Sequence, residues 1–306
     1  MTSPVVRRTA LLLAPFAVYA VYCAARRDLR VEHLAPFVVI VGLSAIGPRA
    51  RELVGALMPF ALVGTVFDAM RPFQKVGLSE ARVLLCDLRA VESRLFGWGS
   101  GGERFTVHDW FREHHHPALD VLCAVPYGTF IMWCAALNVY LYVKDRPAMR
   151  RFGWAFLLMN LAAFATYHAL PAAPPWYFHA HGCAVDLATR ASEGPVLARV
   201  DALLGVHYFH GMYSKASSVF GALPSLHCAY PLLIAIVGWR AFGRGLRVAV
   251  VAYYLLMVFS AIYLDHHWLL DALLGSAFAV GAAWAVGKAV PRDARAAGPA
   301  AEPETA

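Results

Sequence analysis

Charge is scarce in this chain: of 306 residues only 15% are Asp, Glu, Lys or Arg, while 59% are hydrophobic. So small a charged fraction, with a positive mean hydropathy, excludes an ordinary soluble domain and indicates a membrane protein. Cysteines are few and scattered. Cys123 and Cys134 share one apolar run, Cys23 ends another, and Cys86, Cys183 and Cys228 stand apart, so no metal-ligand spacing and no disulfide framework is expected. A bridge such as Cys86–Cys183 is kept as the alternative for an oxidising compartment. No clean small-residue cleavage site follows the first apolar run, so the run behind Arg7-Arg8 reads as a signal anchor rather than a removed signal peptide.

Uncharged apolar runs are abundant. Eight are candidate spans: 9–25, 34–47, 52–67, 118–143, 152–170, 225–242, 246–264 and 268–287. Those at 118–143, 152–170 and 246–264 are long and clean. The runs 34–47 and 52–67 fall short of the ~20 residues of a straight span and would pair as a hairpin at Gly47-Pro48-Arg49. The expected fold is all-α, a polytopic membrane protein of six to eight transmembrane helices.

The positive-inside rule orients it: KDRPAMRR (144–151), RAFGRGLR (240–247) and the end with Lys288, Arg292 and Arg295 share a cytoplasmic side. RRDLR (26–30) is the exception. All 13 histidines and the long segments 68–117 and 171–224 then fall on the outer side. The expected division is 1–67, N-terminal membrane helices; 68–117, an outer interfacial segment; 118–290, a catalytic membrane core; and 291–306, a disordered Ala/Pro/Glu-rich tail.

Within the interfacial segment, 79–97 has helical spacing, with Val83, Leu84, Leu88, Val91 and Leu95 on one side and Arg82, Arg89, Glu92 and Arg94 towards the other. It is expected to lie along the membrane surface. HDWFREHHHP (108–117) reads as a solvated interfacial stretch rather than a metal site. PAAPPWY (171–177) cannot be regular helix and should turn the chain over the site, with Trp176 and Tyr177 at headgroup level. The net charge of +7 suits anionic lipid surroundings and gives no reason to invoke nucleic acid.

Chemistry concentrates at two helix entrances. In SSVFGALPSLHCAYP (217–231), Pro224 suits the first turn of a span, with Ser225 and His227 just inside it. Free N–H groups there form a seat for phosphate, and a histidine there can protonate a leaving oxygen. In YLDHHWLLD (263–271), Asp271 follows His267 by four residues, so on a helix starting near His266 the two touch. That carboxylate would fix the imidazole tautomer and free the other nitrogen to attack. His266 has Leu270 at the same offset, and with Asp265 it is expected to shape the mouth of the pocket.

PSLH followed by Ser260, Tyr263, His267 and Asp271 in the pattern S-x-x-Y-x-x-x-H-x-x-x-D resembles the second and third motifs of the type 2 phosphatidic acid phosphatase (PAP2) superfamily. VFGALPSLH, YLDHHWLLD and LPAAPPWY (170–177) together look more like its inositol phosphorylceramide synthase branch. The resemblance covers residues 65–285. It implies His267 as a nucleophile forming a phosphohistidine, Asp271 as its orienter and His227 as acid and then base, with no metal or other cofactor.

The sequence departs from the pattern at Ala261, where an arginine usually follows the serine, and at Gly64, where a lysine usually stands seven residues before Arg71-Pro72. Phosphate-binding charge is therefore expected from Arg71, with Asp68 orienting it, and from Lys215 and Lys75 behind it; Ser225 and Tyr263 complete the phosphate set, and His168 is a further pocket candidate. The implied activity is transfer of a phosphorylated headgroup, inositol phosphate from phosphatidylinositol, to a lipid alcohol such as ceramide. A lipid phosphatase acting on phosphatidate or an isoprenoid diphosphate, and an inactive lipid transporter or scaffold, are the alternatives. The partners are membrane lipids.

Overall fold

The computed structural model describes residues 4–73, 76–99, 104–191, 194–214, 216 and 218–290, apart from the side chains of residues 4, 71–73 and 195. The tail expected to be disordered lies outside the described residues. All eight apolar runs are helical: α1 (Pro4–Ala25), α2 (Val31–Ile46), α3 (Pro48–Phe73), α6 (Pro117–Lys144), α7 (Arg146–Ala169), α11 (Leu226–Gly238), α12 (Arg244–Tyr263) and α13 (Leu269–Ala289). Among the described residues five, α1, α3, α6, α12 and α13, are long and apolar enough to cross a membrane; α2 and α11 are apolar but shorter.

Many large apolar side chains on these helices face outward, among them Val38, Ile131, Val139, Val248, Leu255 and Trp284. In water that surface would be an aggregation site, whereas in hydrocarbon it is the ordinary exterior of an integral membrane protein.

The bundle is organised around the shortest of these helices. Helix α11 packs against α13, α7, α12 and α6, burying Leu233, Ile234 and Ala235 among Leu141, Phe152, Met159 and Ala279. Helices α1, α2 and α3 pack on one another, and α3 joins them to the rest through α7. A single residue turns α6 into α7: Asp145 ends the first helix, and its carboxylate accepts from Ala148 N at 2.9 Å at the start of the second.

The remaining helices form a cap over one end of the bundle: a short 3₁₀ turn (Glu80–Arg82), α4 (Cys86–Phe96), α5 (Val107–Glu113), α8 (Pro175–His181), α9 (Pro195–Leu204) and α10 (Tyr208–Tyr213). The proline-rich stretch is extended only over 171–174; Pro175 opens α8, so Trp176 and Tyr177 are helical, contrary to the expectation for 171–177. Ala172 pairs in parallel with Leu84 on one side and Gly221 on the other, so the prolines sit between two neighbouring segments. Trp176 and Tyr177 correct the expectation: both are buried, packed with Val83, Leu85 and Phe220 inside the cap rather than at its surface.

Two further expectations are revised here. Cys86 and Cys183 are joined in a disulfide with Cα atoms 5.6 Å apart; no spacing rule finds it, because the partners lie 97 residues apart in sequence. The polarity of 79–97 is reversed only in part: Val83 and Leu88 are buried and Arg82 and Arg94 exposed, as expected. Val91 and Leu95 are exposed while Arg89 and Glu92 are buried, since the charged face finds partners inside the protein: Arg89 donates to Thr106 and Asp109, and Glu92 accepts from the free N–H groups of Leu269 and Leu270 at 3.0 and 3.3 Å. Its carboxylate thus occupies the positive end of α13.

Candidate active site

The two sequence entrances meet, by a route that differs from the expected one. Helix α11 starts at Leu226, with Ser225 as its buried N-cap accepting from Cys228 N; Pro224 precedes the helix rather than opening it. Helix α13 starts at Leu269, so His267 lies in the turn before the helix. The Asp271 carboxylate is at the third helical position, where it accepts from Trp268 N at 2.9 Å.

His267 and Asp271 still approach, with Nδ1 to Oδ2 at 3.4 Å, but the shorter contact of Nδ1 is to the carbonyl of Ala222 at 3.0 Å. A carbonyl only accepts, so Nδ1 carries the proton and the neutral ring presents its lone pair at Nε2. Burial pulls the His267 imidazolium down to about 4, against the hydrogen bond to Ala222 and with help from His108. The ring is therefore neutral at pH 7.

The Nε2 of His267 faces Nδ1 of His227 at 3.1 Å. Since the first carries a lone pair, the second must supply the N–H. His227 is fixed from behind by the ring of Tyr127, stacked at 4.5 Å, and by Phe130 at 4.8 Å. Main chains bring the two histidines together: Ser225 N donates to Asp271 O at 2.9 Å, and a Cβ at Gly275 would stand 2.1 Å from Ser225 O. Only a glycine lets α11 and α13 approach so closely.

His266 is buried between Tyr127 and Tyr213, edge-on to each at 5.4 and 5.3 Å. Gly194 backs it, since a Cβ there would lie 3.2 Å from its ring. His266 and Asp265, expected to shape or wet the mouth of the pocket, are both buried and so do not wet it. Burial, with His267 beside it, holds the His266 imidazolium down at about 3. Among the described residues, the buried polar atoms left without a hydrogen-bond partner include the hydroxyls of Tyr127 and Tyr213, His266 Nδ1 and Asp271 Oδ1. Leaving such groups unpaired costs on the order of 1–3 kcal/mol each, and a polar ligand would relieve that cost.

A family described as the PAP2 superfamily matches residues 96–285, a stretch that begins at the end of α4 and ends within α13. The chain belongs to the PAP2 superfamily. It is 32% identical over 276 residues, 89% of each chain, to the phosphoinositol dihydroceramide synthase of Bacteroides thetaiotaomicron. It is 35% identical to the inositol phosphorylceramide synthase of Candida albicans over 52% of this chain and 34% of the relative. A third relative is the inositol phosphorylceramide synthase catalytic subunit of Saccharomyces cerevisiae, 31% identical over 62% of this chain and 46% of its own. No solved structure matches the chain.

Of the other residues expected at the PAP2 site, Tyr263, His168 and Asp68 are placed elsewhere. The Tyr263 hydroxyl donates to Asp120 at 2.9 Å and accepts from His116 N at 3.1 Å, so the α6 entrance uses it up and it is not a free phosphate ligand. Asp120 in turn holds Arg199 in a two-point pair, each bond 2.7 Å.

His168 is exposed and lines a small separate cavity with Arg82; its helical neighbour Tyr167 reaches the site instead, donating to Pro224 O at 2.9 Å. Asp68 faces the N-terminal helices, accepting from Tyr19 and Arg30 at 2.6 Å and lying 2.9 Å from His33. There it borders a cavity of about 610 Å³ between α1, α2 and α3. The side chain of Arg71, with Lys75 and Lys215, lies outside the described residues.

Sequence reasoning missed a buried set behind the histidine pair. His179 Nδ1 is 2.6 Å from Asp265 Oδ2, and its Nε2 is 3.1 Å from Asp109 Oδ1. His108, taken from sequence as solvated, is enclosed with Nδ1 3.3 Å from Asp265 and Nε2 3.7 Å from Glu92. His114, His115 and His116 are exposed as expected. No local signal marks His179, because its partners are 70 and 86 residues away.

Proposed function

We propose that the chain is a membrane phosphotransferase that moves inositol phosphate from phosphatidylinositol to a ceramide-type lipid alcohol. The observation that carries this reading is the 3.1 Å contact between His267 Nε2 and His227 Nδ1, with His267 Nδ1 already occupied by Ala222. A buried neutral imidazole whose lone pair faces a second imidazole has the parts for a double displacement.

In the first half, His267 Nε2 attacks phosphorus, the bond to the diacylglycerol oxygen breaks, and His227, as imidazolium, gives that oxygen its Nδ1 proton. In the second half, neutral His227 takes the proton of the acceptor hydroxyl, whose oxygen attacks the phosphohistidine; the P–N bond breaks and His267 is restored. Asp271 and Ala222 hold the ring and stabilise the Nδ1–H throughout. The unpaired hydroxyls of Tyr127 and Tyr213 and His266 Nδ1 suit a hydroxyl-bearing phosphate ester.

The choice of transfer over hydrolysis is supported by the names of the relatives, above all the bacterial one matched along 89% of both chains. The cap is assigned to the outer face. The Cys86–Cys183 disulfide on it suits an oxidising compartment, and the basic loops 144–151 and 240–247 suit the opposite, cytoplasmic side.

Purified protein given phosphatidylinositol and ceramide tests the reading: inositol phosphorylceramide and diacylglycerol should form in equal amounts, and His267→Ala should form neither. Release of free phosphate, or of inositol phosphate without a ceramide product, would replace transferase by hydrolase. Unchanged transfer by His267→Ala would overturn the mechanism.

A further inference from the structure

The turn between α12 and α13 is held by more than the histidine pair requires. Asp265 has a left-handed backbone, φ 62°, a conformation an L-residue adopts at a cost on the order of 1 kcal/mol. It reverses the chain so that His266 N and His267 N both donate to Ala261 O at 3.1 Å. Four cap elements then fasten the turn. Trp176 N donates to Asp265 O at 2.9 Å, Trp268 Nε1 donates to Ala173 O at 2.9 Å, Glu92 takes the N–H groups of Leu269 and Leu270, and His108 packs edge-on against Trp268 at 5.4 Å.

The side chain of Asp265 has one short partner, His179, and the far nitrogen of His179 reaches Asp109. Asp109 is itself anchored, accepting from Arg89 at 2.8 Å and from Thr106 N at 2.6 Å. An ionised carboxylate only accepts, so bonding two of them requires hydrogens on both ring nitrogens. The charges around this bridge are Asp109 and His108 from α5, Arg89 and Glu92 from α4, and Asp265 from the turn. Three carboxylates thus face the Arg89 guanidinium and the rings of His179 and His108.

We propose that His179 is a positioning residue, a doubly protonated bridge between Asp109 and Asp265 that fixes the turn carrying His266 and His267 against the cap. The proposal rests on the phosphotransferase reading given above. His179 touches neither His267 nor His227; it acts through Asp265, two residues from His267. Burial disfavours the His179 imidazolium, but hydrogen bonds to Asp109 and Asp265 outweigh it and raise the ring to about 9. Against their own burial, His108 and His179 hold Asp265 low, and His179, Thr106 and Arg89 hold Asp109 low. The bridge is therefore intact at neutral pH and opens as pH rises through about 9.

The test uses full-length protein in detergent or nanodiscs, with transfer from phosphatidylinositol to ceramide measured from pH 6 to 10. His179→Gln should lower kcat ~10- to 100-fold with KM little changed, because misplacing a reacting group by about 1 Å has that effect. His179→Arg, whose guanidinium donates at two ends without titrating, should recover much of the rate and lose the fall in kcat expected of wild type above pH 9. Asp109→Asn cuts the far end of the bridge and should reproduce the His179→Gln defect if the His179 variants fail to fold.

Wild-type rates in folded His179→Gln and Asp109→Asn would overturn the proposal. So would equal impairment of His179→Gln and His179→Arg with the alkaline limb unchanged, which is the pattern of a packing role. A wild type that hydrolyses rather than transfers would sink the substrate reading and leave the bridge testable on the hydrolytic rate.

Discussion

The Nε2 of His267 and the Nδ1 of His227 stand 3.1 Å apart, one on a turn and the other in the first turn of α11, so a proton placed on one ring sets what the other can do. Because the Ala222 carbonyl takes the far nitrogen of His267, only one arrangement of protons leaves a nucleophile facing an acid. Loss of either ring should have unequal effects. His267→Ala is expected to abolish transfer, a fall of at least ~10³-fold, and His227→Ala to reduce it by ~10²–10⁴-fold. His266→Ala should lose on the order of ten-fold or less, measured as kcat on the same lipids; the reverse ranking of His266 and His267 would mean the wrong ring has been assigned.

Asp271 should matter less than a sole orienting carboxylate would. Where a carboxylate alone fixes the tautomer, its amide replacement costs about 10⁴-fold; here Ala222 is the nearer acceptor, at 3.0 Å against 3.4 Å. Asp271→Asn is therefore expected to lower kcat by only ~10- to 100-fold. A drop equal to that of His267→Ala would place the whole orienting role on the carboxylate.

The unpaired hydroxyls near His266 give a different kind of prediction. Tyr127→Phe and Tyr213→Phe remove a polar atom that the described residues leave without a partner, so both variants should be as stable as wild type or more so. Their kcat/KM for phosphatidylinositol should fall ~10-fold, while a donor with fewer headgroup hydroxyls should lose less. A loss of thermal stability in either variant would show that the hydroxyl serves the fold.

Stability should follow pH through His179. Its folded value of about 9 lies above the ordinary 6.5, so its contribution is complete below about 6.5 and is lost as pH rises towards 9. Melting temperature in detergent should decline across that interval in wild type. In His179→Gln the same interval should be flatter, and identical slopes would remove His179 from the account.

Reduction should loosen the cap. The Cys86–Cys183 bond closes a separation of 97 residues, for which chain entropy gives about 4–5 kcal/mol in a free chain; helices already confined to a bilayer leave less to gain. Dithiothreitol should lower both melting temperature and kcat of wild type. The Cys86→Ser/Cys183→Ser protein should begin at the lowered values and not respond.

The apolar runs were readable in the sequence because a bilayer imposes length and composition on every crossing segment, and all eight became helices. His227 and His267 were readable because motif spacing survives small shifts in helix boundaries: α13 begins at Leu269, yet His267 and Asp271 still come within 3.4 Å. The inside of the cap was not readable. A polar face on α4 looks the same whether it meets water or a buried partner, and Arg89 and Glu92 meet Thr106, Asp109 and the start of α13. His179 gave no sign at all, since only the tertiary fold brings it to Asp265.

Gly275 bears on more than packing. An added Cβ would lie 2.1 Å from the Ser225 carbonyl, and Ser225 is two residues from His227 while α13 follows directly on the turn that holds His267. The missing side chain therefore works as a gauge block between two reactive rings. Changes confined to position 275 would alter the gap across which phosphorus must pass while leaving every charge, proton and lipid contact in place.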